Sequence, residues 1–101
     1  MNIQVLDQKL KTLVRTERKI TYEILLLIQT LDVTRGFREL GYSSLFEYLT
    51  KEVGYSEGSA QRRISSARLM KECPQVETEI QTGGLNLTQI SLAQVAFRQE
   101  A

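Results

Sequence analysis

Residues 3–31 read IQVLDQKLKTLVRTERKITYEILLLIQTL, and their apolar positions decide the fold class. Ile3, Leu6, Leu10, Leu13, Ile20, Ile24, Leu27 and Leu31 are separated by alternating gaps of three and four, with Glu17 as the single interruption. That spacing is a heptad repeat. It predicts one long helix, or two helices in line, whose apolar seam meets a partner helix at a shallow left-handed crossing. Val14 and Ile28 lie beside the seam, and Val5, Tyr22, Leu25 and Leu26 add apolar surface elsewhere. A helix apolar over so much of its circumference is normally surrounded, so residues 22–31 are expected inside a bundle. The stretch before Thr16 is free to project, to pair with a second chain, or to pack within its own chain. At ~1.5 Å per residue, thirty helical residues reach ~45 Å, longer than a compact domain of this size is wide. Either a bend near residues 16–19 or a dimer seam through Ile3, Leu6, Leu10, Leu13 and Ile20 is therefore predicted.

Outward from this helix the sequence repeats itself, Glu39-Leu40-Gly41-Tyr42-Ser43 returning as Glu52-Val53-Gly54-Tyr55-Ser56. Each copy stops one helix and starts the next: Gly adopts the left-handed conformation past a helix end, and Ser accepts from the free N–H groups of the following helix. Ser44 with Glu47 three residues on makes a capping box. A short helix over about 44–53 follows, with Leu45, Leu49 and Val53 expected to face the core. Another helix runs from Glu57 to about Glu72, and Pro74 suits the first turn of the next. Gly83-Gly84 closes that one, and Asn86 with Gln89 signals a last helix that is still amphipathic at Ala101. No segment alternates with period two. The expectation is an all-α chain, a long helix or helix pair over 1–34 followed by a short-helix bundle over 35–101. The uncapped final helix reads as part of a longer polypeptide.

Composition narrows the chemistry. Among 101 residues there is no His, one Cys and one Pro, with 42% hydrophobic and 25% charged residues. That composition suits a folded globular domain. Without His there is no imidazole acid or base, no Ser-His or Cys-His pair and no His/Cys zinc site, so neither a cofactor nor a metal is expected. Cys73 alone cannot form a disulfide within the chain, and beside Pro74 it reads as a small packed hydrophobe in a reducing compartment. The longest apolar run, Ile24 to Ile28, is far too short to span a membrane, and the first residues lack the pattern of a signal peptide. A cytoplasmic protein with no small-molecule substrate is the expectation. Thirteen Lys and Arg against twelve Asp and Glu give a net charge of +1, so contact with a polyanion would require local clustering.

Two clusters exist. Lys9, Lys11, Arg15, Arg18 and Lys19 stand against Glu17, and Arg62, Arg63, Arg68 and Lys71 stand against Glu57 and Glu72. The second lies in a unit of helix-turn-helix form, in which Gly54 makes the turn, Tyr55 fills the angle, Ser56 caps and small Ala60 permits close approach. The second helix of such a unit can enter the major groove. A helical wheel drawn with Ala60, Ile64, Ala67 and Met70 inward turns Gly58, Arg62, Ser65, Ser66 and Leu69 outward. Ser59, Gln61 and Arg68 border that face. Small residues permit close approach, while Arg and Gln supply paired donors for phosphate, guanine or adenine. Ser59, Gln61, Arg62, Ser65, Ser66, Arg68 and Lys71 are accordingly the candidate DNA contacts. Helix-corner-helix is also how any small bundle turns, and an outward Leu69 would suit a protein interface. Two further readings of this face, structural packing and protein contact, therefore stay open, as does a solvated-face reading of the Lys9 to Lys19 cluster.

The segments Arg38-Glu39-Leu40-Gly41-Tyr42-Ser43-Ser44-Leu45-Phe46-Glu47-Tyr48-Leu49, Gly54-Tyr55-Ser56-Glu57, Ala60-Gln61-Arg62-Arg63-Ile64, Ala67-Arg68-Leu69, Pro74 and Gly84-Leu85-Asn86-Leu87 together resemble the helical region found ahead of HNH-type endonuclease domains in predatory and related bacteria. The resemblance spans roughly residues 15–98. In that family the HNH module supplies nuclease chemistry with histidines and a metal, so a chain without His carries none of it. What the resemblance implies is a non-enzymatic accessory domain of a DNA-acting protein, serving DNA recognition or dimerisation. A helical oligomerisation module that never meets nucleic acid is the alternative.

Overall fold

In the computed structural model, which describes residues 2–82, α1 (Ile3–Thr34) is a single unbroken helix. Asn2 caps it, its side chain accepting from the Gln4 amide at 2.8 Å, and the helix runs through Thr16–Lys19 without the predicted bend. It ends where Arg35 turns into the left-handed region at φ 55°. One turn of 3₁₀ helix (Gly36–Arg38) leads into the first corner. Then come α2 (Leu45–Glu47), continued as π-helix over Tyr48–Val53, α3 (Glu57–Glu72) and α4 (Pro74–Thr82). Among the described residues there is no strand, and the fold is all-α. The final helix read from Asn86 lies outside the described residues.

Both corners turn at the motif's glycine, but the motif's serine caps only at the second; at the first the cap is Ser44, one residue on, from the capping box. Gly41 and Gly54 hold φ 91° and 95°, where a side chain would be strained. Ser44 Oγ accepts from the Glu47 amide at 3.0 Å and Ser56 Oγ from the Ser59 amide at 3.2 Å. Val53, however, is largely exposed. Leu45 and Leu49 are buried, whereas Val53 is the last residue of the π-helix, next to the Gly54 corner, and stands in solvent.

α3 is the centre of the bundle, contacting α1, α2 and α4. Its buried residues Ala60, Ile64, Ala67, Leu69 and Met70 meet Leu25 and Ile28 of α1, Phe37, Leu45 and Leu49, and Ile80 of α4. Ala60 and Ala67 are wholly buried. Their methyl side chains let neighbouring backbones approach closely enough for Gln29 Nε2 to donate to the Ala67 carbonyl at 3.2 Å. At the other end of this contact Tyr22 donates its hydroxyl to Glu77 at 2.6 Å, tying α4 to α1.

The buried residues of α1 are Leu25 and Ile28, both in its second half. Leu27, expected inside, is 67% exposed. At ~100° per residue Leu27 lies about 160° from Leu25 and about 100° from Ile28 around the helix, so it faces away from the side that buries them, while its stripe neighbours Ile24 and Leu31 are half-buried. The first half overshoots the bundle. The molecule measures 51 Å along its longest axis with a radius of gyration of 15.6 Å, against ~13 Å for a compact domain of 100 residues. Stability is thus concentrated where α1 crosses α3. Replacing Leu25 with Ala should cost about 2 to 5 kcal/mol, read as a lower denaturation midpoint by circular dichroism, whereas Leu13→Ala in the bare half should cost the bundle under about 1 kcal/mol.

Candidate nucleic-acid and self-association surfaces

The seven candidate DNA contacts do not share one surface. Gln61, Arg62 and Lys71 are exposed, Ser59 and Ser65 half-buried. Ser66 is a correction: it is fully buried, its hydroxyl donating to the Arg62 carbonyl at 2.7 Å. Leu69 is also buried rather than outward. The reason is the position of α3. A wheel drawn against a single core direction fails for a helix covered by three neighbours, and residues turned away from α1 find other walls.

Arg68 is at the surface but engaged. Its Nε and Nη2 donate to the two carboxylate oxygens of Asp32, each at 3.0 Å. This forked pair joins α3 to the last turns of α1 and uses the geometry that makes Arg a bidentate partner. The hydrogen bonds from Arg68, aided by the charges of Arg68, Lys71 and Arg35, hold the Asp32 carboxyl below the usual range, with partial burial acting in the opposite sense. Arg68 is correspondingly raised, first by its hydrogen bond to Asp32. A guanidinium so held is less available to a phosphate than a free one.

At the other end of α3, Arg62 reaches back over Gly58, where an added Cβ would come within 3.3 Å of its Nη1, and donates to Ser59 Oγ at 3.4 Å. Arg63 lies over the Tyr55 ring at 4.3 Å and donates to the Ser59 carbonyl. It braces the corner between α2 and α3, a cation-π role that charge counting does not distinguish from ligand binding. The outward side of α3 thus offers Gln61, Arg62 and Lys71, together with the acidic Glu57 and Glu72. As an electrostatic surface it is close to neutral.

The other candidate surface is an apolar stripe broken once, at Glu17. Ile3, Leu6, Leu10, Leu13 and Ile20 are all exposed, between 43% and 75%. Lys9, Arg15, Arg18 and Lys19 are exposed around them, and Lys11 pairs with Asp7 at 2.9 Å. Among the described residues no group of three or more His, Cys, Asp or Glu is placed to hold a metal ion. No helix among them is long and apolar enough to cross a membrane. The chain matches no protein-family model, no curated protein and no solved structure.

The Asp32–Arg68 pair has a measurable consequence. A carboxyl whose folded pKa is depressed stabilises the fold at pH values above its unfolded pKa, about 3.9, and loses that contribution as pH falls through the lower folded value. Both side chains are partly solvent-screened, so the contribution is at most about 1 kcal/mol. Asp32→Asn should remove it, lowering stability at neutral pH while flattening the acid limb of a denaturation midpoint measured between pH 2 and 6.

Proposed function

We propose that the chain is a non-catalytic helical module of the cytoplasm that self-associates through the first half of α1. Any catalytic chemistry it serves is supplied by another domain or protein. The observation that carries this reading is the exposure of all five stripe residues, Ile3, Leu6, Leu10, Leu13 and Ile20, on a helix that continues past its own bundle. An apolar stripe held in water is a standing free-energy cost that association removes. Heptad spacing selects a helix as the partner, because only knobs and holes of the same period stay in register along such a stripe.

Contact with DNA through α3 is the second reading. Favouring it are the exposure of Gln61, Arg62 and Lys71, the cations carried by α1 and the resemblance to regions that precede HNH nuclease domains. Against it stand the engagement of Arg68 by Asp32 and the near-neutral outward face. In a dimer both copies of that face would be presented together, so the two readings are compatible.

Replacing Leu10 and Leu13 together with Asp should give a monomer, since each charge would have to be desolvated within an apolar seam. Light scattering at tens of micromolar should report a dimer for the unmodified chain and half that mass for the variant. A monomeric unmodified chain rules the reading out. For DNA, Arg62→Ala should weaken duplex binding by about 1 to 3 kcal/mol if the guanidinium reads a base edge, while Lys71→Ala should lower affinity evenly across sequences and reduce the salt slope by about one. Unchanged affinity and salt dependence in both folded variants would remove α3 as a contact surface.

A further inference from the structure

The exposed stripe is longer than the five residues that carry the proposed self-association. With Ile3 taken as position a of a heptad, the d positions are Leu6, Leu13, Ile20 and Leu27. All four are exposed. The a positions behave differently: Ile3, Leu10 and Glu17 are exposed, while Ile24 and Leu31 pack partly against the chain's own core. One side of the seam is therefore open along nearly the whole helix, and the other only along its first half. A symmetric partner must fit that asymmetry.

In a parallel pair each position meets itself. Glu17 would face Glu17 of the second copy in one layer, two like charges inside an apolar seam. Ile24 and Leu31 are half-buried against their own bundle in either orientation, so they do not choose between the two. The flanking g position of Lys9 would meet Val14, which offers no charge.

We propose that the partner is a second copy lying antiparallel on α1, with Ile3 beside the partner's Leu27, Leu6 beside its Ile24 and Leu10 beside its Ile20. This inference rests on the self-association reading and fixes its geometry. In this register Leu27 meets the partner's Ile3 and Ile20 its Leu10, while Leu6 lies beside the half-buried Ile24 and Leu13 beside the partner's Glu17. The two Glu17 carboxylates fall in different layers, ~6 Å apart along the axis at 1.5 Å per residue. Position g of one chain flanks position g of the other in an antiparallel pair. Lys9 then lies next to the partner's Glu23, and the symmetry makes two such pairs. Both residues are exposed in the single chain. The two bundles are carried to opposite ends of the seam.

Charge reversal tests the orientation separately from the assembly. Lys9→Glu and Glu23→Lys should each weaken the dimer, on the order of tenfold by sedimentation equilibrium at low salt, because each places like charges together twice. The double variant should recover the original dissociation constant. Both sites lie on the solvent side of α1, and circular dichroism of each variant provides the folding control. A dimer in which neither reversal matters, or in which the double variant does not recover, overturns the antiparallel register while leaving self-association standing. A chain that is monomeric before any substitution overturns both. A second measurement gives the same distinction: Thr16→Cys in a Cys73→Ser background should form an inter-chain disulfide readily, since Thr16 lies near the twofold axis of the antiparallel pair. In a parallel pair the two g positions lie on opposite flanks of the seam and would resist cross-linking.

Discussion

The close crossing of α1 and α3 is the constraint from which the rest of the molecule follows. Ala60 and Ala67 contribute little beyond backbone, so neighbouring helices come near enough for a side-chain amide to reach a main-chain carbonyl, and Leu25 and Ile28 fill the space beside them. Packing of this kind depends on volume. A larger residue at Ala67 would push the helices apart and break the Gln29 hydrogen bond with them. Because α1 is fixed at its second half, its first half has no freedom to fold back on the core, and its apolar residues are left in water.

Much of this was legible in the sequence. The heptad gave helix over 3–31, as one element or two in line, the Gly41 and Gly54 positions of the repeated motif gave both corners, and Pro74 opened α4, since each of these depends on local backbone chemistry. Legibility failed where the answer depended on how many neighbours an element has. Ser66 and Leu69 looked outward on a wheel that assumed one core direction, yet α3 is walled by three helices. Arg68 looked like a free cation because Asp32 is thirty-six residues away in sequence. Leu27 looked interior because apolar density, rather than its angle from Leu25 and Ile28, was the guide.

The candidate surfaces divide along the same line. The α1 stripe rests on spacing and was readable, while the α3 face depended on which polar side chains the tertiary fold would occupy. Arg63 serves Tyr55, Arg68 serves Asp32 and Ser66 serves the helix backbone. Of a Ser, Gln and Arg surface that seemed made for a polynucleotide, a large share is spent on holding the bundle together. Arg62 and Lys71 are what that accounting leaves.

The overshoot of α1 also bears on when the helix forms. An isolated helix shorter than about 12 to 15 residues is marginal in water because nucleation is costly, but the first half of α1 extends a helix already nucleated in the bundle and needs only propagation. The second half of α1 is ordered by the bundle, but the first half draws its order from its own hydrogen bonds and from whatever covers its stripe. If that half self-associates as proposed, helix formation there and encounter with a partner form one coupled equilibrium, in which the conformational entropy of some eighteen residues is set against the apolar surface removed from water. On the proposed self-association, the helicity of that half would follow protein concentration, and the chain would report its own abundance as secondary structure.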